Sequence, residues 1–224
     1  MNIAVYGGSF NPLHIGHLAI IRHLTEKAGF DGVYLIVSPK NPLKDSISGE
    51  SALERYNAAV EAIGRHFGSH HAAAAECGDD VPPTARGCLS EAKTGVSGMS
   101  SDCSDGQNKV KVDDIELTMP EPHYTIRTLN ALRAREPENS FTLVIGADNL
   151  ADIRRWRDYG SILKDFGVAV FPRAGHDLET IKQDLLEEDP AYKIQILEAE
   201  LVNISSTQIR EAMANGNDPS LYLM

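Results

Sequence analysis

Met1–Gly29 reads MNIAVYGGSFNPLHIGHLAIIRHLTEKAG, and its order of residue types decides the fold. MNIAVYG is a short apolar run that predicts a buried strand. Gly7 and Gly8 end it with a turn in which backbone can come close to a ligand. HIGHLAIIRHLTEKAG then predicts a helix, with Leu18, Ile21 and Leu24 on one face and Gly29 as its stop. Strand, glycine turn and helix in that order open a βαβ unit.

The same alternation continues along the chain. GVYLIVS and FTLVIGA predict further buried strands, as does FGVAVFP. KVDDIEL and YKIQILEA predict two more. Between them, SALERYNAAVEAIGRHF predicts a helix capped at Ser51, with Glu54 three residues on. TIRTLNALRAR predicts a helix capped by Thr125, and NLADIRRWRDYGSILKD one or two helices. DLETIKQDLLEED follows the same pattern, and SSTQIREAMANG predicts a last helix stopped by Gly216. Continuous apolar strands separated by amphipathic helices indicate a parallel sheet covered on both faces. The expected fold is α/β, a Rossmann-like doubly wound parallel sheet. Its ligands bind at the carboxyl ends of the strands.

One stretch breaks the alternation. From Gly68 to Lys109 there is no Ile, Phe, Tyr or Trp, and the composition is Gly, Ser, Ala and Asp. Such a segment buries too little apolar surface to offset the entropy of ordering it. It is expected to be a long, disordered, low-complexity insertion at 68–109 within a single domain spanning 1–224. Cys77, Cys88 and Cys103 all lie in it, with His70 and His71, at spacings that match no zinc pattern.

Composition narrows the function classes. The 224 residues suffice for a real core, and 42% hydrophobic content is that of a globular protein. No apolar run approaches the roughly 20 residues that span a bilayer. A net charge of -11 argues against a nucleic-acid partner, which needs clustered Lys and Arg. The start, MNIAVYGG, has no basic region and no cleavage site. A cytoplasmic protein is therefore expected. An odd cysteine count does not suggest a disulfide framework.

The glycine turn carries the chemistry. His14 and His17 are one helical turn apart at a helix start, so they can face one point. A helix N-terminus favours an anion there. A lone histidine at such a place is more often structural. A pair directly behind Gly7 and Gly8 points instead to a phosphate that gains charge during reaction.

GGSFNPLHIGHL resembles the HxGH signature of the nucleotidyltransferase superfamily, and ISSTQIREAMANG, from Ile204 to Gly216, resembles its ISSTxIR signature. SPKNPLK (Ser38 to Lys44), PHYTIRTL (Pro122 to Leu129) and IGADNLADIRRW (Ile145 to Trp156) narrow the likeness to the bacterial nicotinate-nucleotide adenylyltransferases. The resemblance implies transfer of AMP from ATP to nicotinate mononucleotide, giving deamido-NAD and pyrophosphate. It implies catalytic roles for His14, His17, Lys44 and Arg210, with Lys40 as the alternative to Lys44. It places Gly8, Ser9, Phe10, Ser206 and Thr207, with His14, His17 and Arg210, against ATP. It places Tyr124, Thr125, Gly146, Asp148 and Trp156 against the nicotinate nucleotide. Mg²⁺ is expected to arrive with ATP, without protein ligands.

Each assignment has a plainer competitor. Ser206–Thr207 can be a simple N-cap, Asp148 likewise, and Trp156 can be core packing. Nicotinamide mononucleotide and phosphopantetheine are the rival acceptors. A catalytically weak nucleotide-binding or scaffold protein is the rival class.

Overall fold

The computed structural model describes residues 1–39, 51–68, 109–173, 175–199, 206–216, 218 and 222–223. Lys40, Lys44, Ile204 and Ser205 of the second motif and nearly all of the 68–109 segment lie outside the described residues.

The elements follow the alternation: β1 (Asn2–Gly8), α1 (Ile15–Glu26), β2 (Gly32–Val37), α2 (Ala52–Phe67), β3 (Val110–Asp113), α3 (Ile115–Thr118), α4 (Thr125–Arg135) and β4 (Ser140–Gly146). Then come α5 (Ala147–Ala151), a 3₁₀ turn (Ile153–Arg155), α6 (Tyr159–Ser161) running into a π-turn (Ile162–Phe166), β5 (Val168–Phe171), α7 (Leu178–Glu188), β6 (Ile194–Ile196) and α8 (Ser206–Ala214). The six strands form one sheet in the order β3-β2-β1-β4-β5-β6, and every pairing is parallel. The order reverses between β1 and β4, where Tyr6 lies opposite Val144. In such sheets the ligand crevice opens beyond the carboxyl ends at that reversal.

Alternate strand residues face the two layers. Ile3, Val5, Leu143, Val168 and Val170 join one core cluster with Leu129 and Leu132 of α4 and Leu185 of α7. Ala4, Val144, Ala169 and Phe171 face the other side, with Leu24 of α1. Leu35 and Val37 pack there with Ile21 of α1 and Ala59 and Ile63 of α2. Both faces are covered, which is why the strands read as continuous apolar runs.

Several boundaries differ from the sequence expectation. KVDDIEL is not one strand: it breaks after Asp113, whose Oδ1 accepts the Ile115 N–H at 3.1 Å and turns the chain into α3. An Asp side chain that bonds the backbone two residues on competes with the strand ladder. α4 is capped at Tyr124, not Thr125, and without a side-chain bond. The Ser51 cap of α2 is as expected: its Oγ accepts the Glu54 N–H at 3.2 Å, and Glu54 accepts the Ser51 N–H at 2.6 Å. Gly29 and Gly216 take positive φ at the chain turns after α1 and α8.

Candidate active site

β1 ends at Gly8, and the chain then turns sharply. A Cβ on Gly8 would come 3.0 Å from the Phe10 ring and push that ring outward by a few tenths of an ångström. Phe10 itself has φ of 43°, a left-handed conformation uncommon for a bulky residue. Its side chain is buried, edge-on to Tyr6 at 5.5 Å and to His17 at 5.1 Å. Phe10 thus enters the site as a packing wedge under His17, with only its backbone left to line a nucleotide.

The two histidines cap the helix that carries them. His14 is the N-cap of α1, and its Nδ1 accepts the Gly16 N–H at 3.1 Å. His17 Nδ1 accepts the His14 N–H at 3.2 Å. The rings lie 3.8 Å apart, tilted by 36°. Burial lowers the pKa of His14 to about 4. Burial, aided by repulsion from His14, lowers that of His17 to about 3. Both rings are therefore neutral near pH 7. A neutral ring whose Nδ1 accepts must carry its proton on Nε2. The site offers two neutral Nε2–H donors.

This corrects one expectation. The first-turn N–H groups of α1 do not stand open to an anion: Gly16 and His14 give theirs to imidazoles, and Ile15 gives its own to the Tyr222 carbonyl at 3.0 Å. Leu223 pairs with His14 in an antiparallel bridge beside it. The donors available for a phosphate at this turn are imidazole N–H groups rather than the helix end.

The two sequence motifs meet although about 190 residues separate them. Ser206 Oγ, at the start of α8, donates to the Pro12 carbonyl at 3.3 Å. Arg210 donates through one terminal nitrogen to the Asn11 carbonyl at 2.6 Å and through the other to Thr207 Oγ1 at 3.1 Å. α8 is thereby fastened to the loop that leads into His14. Ser206 and Arg210 thus contact the loop just before the histidine turn, and Thr207 is bonded to Arg210.

The second group of candidates lies around the neighbouring strand, β4, with Gly146 at its end, Asp148 in α5, Tyr124 and Thr125 at the start of α4, and Trp156 after the 3₁₀ turn. Gly146 is the last residue of β4 and the N-cap of α5, which excludes the N-cap alternative for Asp148. The Asp148 carboxylate is engaged by Arg173 and by His176 Nε2, the latter at 2.7 Å. Burial pushes the Asp148 carboxyl up, but those two partners outweigh it and hold the pKa below the usual carboxylate value. Tyr124 is half-buried against the main core, and Thr125 opens α4 beside it. Trp156 follows the 3₁₀ turn, half-buried on the same core, and its indole N–H has no acceptor among the described residues. The two groups share adjacent strands, and no direct bond joins them among the described residues.

Sequence reading missed four participants. Asn11 supplies the carbonyl for Arg210, and Arg173 and His176 take Asp148. Arg55 of α2 is 2% exposed and binds the carbonyls of Ser9, Ser38 and Pro39. One signal was available for Arg55. It falls on the stripe Arg55, Ala59, Ala62, Ile63 that α2 buries, where a charged residue needs dedicated partners. A cavity of about 420 Å³ lies along α1, lined by Gly16, Ile20, His23, Phe171 and Ala199 among others, and neither His14 nor His17 lines it.

A family model described as cytidylyltransferase-like matches residues 5–69 and 98–212. The chain belongs to the cytidylyltransferase-like family. Within it the chain is similar to a Flavobacterium psychrophilum protein named probable nicotinate-nucleotide adenylyltransferase, 33% identical over 218 residues, 96% of this chain and 88% of the relative. A Bacteroides fragilis protein of the same name is 30% identical over 222 residues, 98% of this chain and 85% of the relative. These relatives place this cytidylyltransferase-like chain among the nicotinate-nucleotide adenylyltransferases. A solved Plasmodium falciparum nicotinic acid mononucleotide adenylyltransferase, complexed with NaAD, superposes with a TM-score of 0.65 at 18% identity, covering 99% of this chain and 90% of that one. That likeness bears on the fold.

Proposed function

We propose that this chain transfers AMP from ATP to nicotinate mononucleotide, releasing pyrophosphate and forming deamido-NAD. The names of its relatives support the acceptor. The observation that carries the chemistry is the fastening of α8 to the histidine turn, beside the reversal in strand order.

The acceptor's phosphate oxygen attacks the α-phosphorus of ATP. The bond to the β-phosphate breaks, and pyrophosphate leaves with that electron pair. A phosphate attacker at neutral pH needs no protein nucleophile and no strong base. The protein contributes position and charge stabilisation. The Nε2–H groups of His14 and His17 are set to donate to phosphoryl oxygens as charge grows on them. Because both rings begin neutral, an arriving triphosphate stabilises any proton they then take up. Arg210 adds a fixed positive charge at the start of the same loop. Lys44, or Lys40 in its place, belongs to the same donor set by resemblance.

The donors at the histidine turn are imidazole, guanidinium and hydroxyl groups, not the all-oxygen set a Mg²⁺ ion selects. A Mg²⁺ ion would accordingly enter with ATP, held by phosphate oxygens and water rather than by these residues, and would supply charge neutralisation. Gly8, Ser9 and Phe10 line the ATP side with backbone. Tyr124, Thr125, Gly146, Asp148 and Trp156 line the acceptor side. Among the described residues no helix is long and apolar enough to cross a membrane, and we place the enzyme in the cytoplasm.

The test is pyrophosphate release from ATP with each acceptor in turn. Nicotinate mononucleotide should be the best substrate, nicotinamide mononucleotide weaker, and phosphopantetheine inert. Equal rates with the two mononucleotides remove the acceptor assignment. No release with any acceptor removes the reaction and favours a binding protein.

A further inference from the structure

The geometry points to Arg55 as a positioning residue for AMP transfer, acting through the turn after β1 rather than through substrate. This rests on the reading of the site given above. Arg55 lies one turn into α2, and its side chain is almost wholly buried. One terminal nitrogen donates to the Ser9 carbonyl and, at 3.0 Å, to the Ser38 carbonyl. The other donates to the Pro39 carbonyl at 3.1 Å. Ser9 is the first residue past β1, and Ser38 the first past β2. Ser38 in turn gives its N–H to the Gly8 carbonyl at 2.9 Å.

Carbonyls just past the ends of parallel strands have left the ladder, and buried ones must find another donor. The carbonyls of half-buried Ser9, Ser38 and Pro39, from two chain segments, converge on one planar fork. A guanidinium can serve all three at once because its donors are rigidly spaced, whereas an ammonium is a single point on a flexible stem.

The contact reaches the chemistry in two steps. Fixing the Ser9 carbonyl fixes the peptide that leads into Phe10, where the backbone is left-handed at φ of 43°. The Phe10 ring then packs edge-on against His17. If Ser9 moves, the wedge under His17 moves with it, and the Nε2–H donor loses its aim. The Pro39 contact holds the start of the segment whose sequence continues with Lys40 and Lys44.

The experiment uses the full chain with Arg55→Lys and Arg55→Gln. Folded fraction comes from circular dichroism and denaturant titration, and kcat and KM are then taken per folded molecule. Amide hydrogen exchange over residues 8–10 is measured on the same samples. We expect kcat to fall about ten- to a hundred-fold in both variants, the scale of an ångström-sized misplacement. KM for the acceptor should stay within about three-fold, and exchange at residues 8–10 should quicken. A purely structural arginine would lower the folded fraction and leave kcat per folded molecule alone. Wild-type kcat in either folded variant overturns the proposal. So does failure of both variants to fold, which makes Arg55 a residue of the core only. If wild type itself releases no pyrophosphate, the functional reading has failed, and the exchange measurement still decides whether Arg55 holds the turn.

Discussion

The turn after β1 and the end of β4 lie on neighbouring strands, yet they are held together in different ways. At the β1 turn, side chains bond to main chain. His14 and His17 take backbone N–H groups, while Arg55, Ser206 and Arg210 bond carbonyls. At the β4 end, the strongest ties run between side chains, with Asp148 held by Arg173 and His176 at a half-exposed position. Main-chain anchoring ties a donor's position to the fold itself, as a site that stabilises developing charge requires. Side-chain anchoring leaves room to rearrange around a ligand. The difference matches the proposed function, in which the first region serves the reaction and the second the choice of acceptor.

Breaking the first region should have the largest effect. His17→Ala removes an Nε2–H donor and also the acceptor for the His14 N–H. We expect kcat/KM to fall on the order of 10²- to 10³-fold, the usual loss for a donor aimed at developing charge. The change should lie mostly in kcat, with the far-ultraviolet circular dichroism unchanged. A folded variant with wild-type turnover removes His17 from the mechanism.

Breaking the second region should change binding instead. Trp156 is the sole tryptophan, half-buried against the core with its indole N–H left without an acceptor among the described residues. Trp156→Ala should raise KM for the acceptor about ten- to a hundred-fold, the worth of an aromatic stack of about 1–3 kcal/mol. KM for ATP should barely change. Indole emission should be quenched by nicotinate mononucleotide, and less by the nicotinamide form. Core packing predicts otherwise: early melting, with both substrates affected alike and no quenching.

How much of this was legible in the sequence also divides along that line. The sheet was legible because Val33–Val37 and Val168–Phe171 are apolar without interruption and alternate with amphipathic helices, the pattern of a parallel sheet covered on both faces. The histidine pair was legible as well, because its spacing is local. Its protonation was not, since burial and the 3.8 Å stacking of the rings arise from packing by Phe10 and Tyr6. The strand expected over KVDDIEL is present but ends early, at Asp113, because one side-chain bond, from the Ile115 N–H to Asp113, outweighs a weak local pattern. Arg173 and His176 stand 25 and 28 residues from Asp148, on another strand's loop, and no local period connects them. Arg55 was hidden for the opposite reason: the charge reads as surface, although its place on the α2 stripe is buried.

The neutral state of the paired rings sharpens the comparison further, with a smaller expected effect. Above a pH of about 6.5 both rings are neutral in the folded and the unfolded chain. Below it, the unfolded chain takes up protons that the folded chain refuses until about pH 4 for His14 and about pH 3 for His17. The unfolded state then binds more protons, so stability is complete above that pH and falls as the pH drops. The ring resonances of both residues should still be those of neutral imidazole at pH 5 in the ligand-free enzyme. Adding ATP should move their midpoints up, since the phosphates favour the charged ring. A midpoint near 6.5 in the free enzyme for either ring ends the assignment of neutral donors.

The smallest effect is expected from the region that belongs to neither half. We propose that 68–109 is an insertion in the nucleotidyltransferase domain, dispensable for AMP transfer. The family model passes over residues 70–97, and no candidate site residue falls between 69 and 108. Its anchor points support the same reading. α2 ends at Phe67, and β3 starts at Val110, where the Lys109 carbonyl accepts the N–H of Val33 near the beginning of β2. The chain therefore leaves and re-enters at the amino ends of the strands, whereas His14, Arg210 and Asp148 gather at the carboxyl ends. Replacing residues 70–107 with a short Gly/Ser linker leaves both anchor points, Phe67 and Val110, in place. The closure entropy of a flexible loop grows only with the logarithm of its length, so stability should change little. Turnover and both KM values should stay within about three-fold of wild type, and the Arg55 and His17 variants should show the same losses in the shortened background. A tenfold loss on replacement would tie the segment to the crevice, and Cys77, Cys88, Cys103, His70 and His71 would then be the residues to vary next.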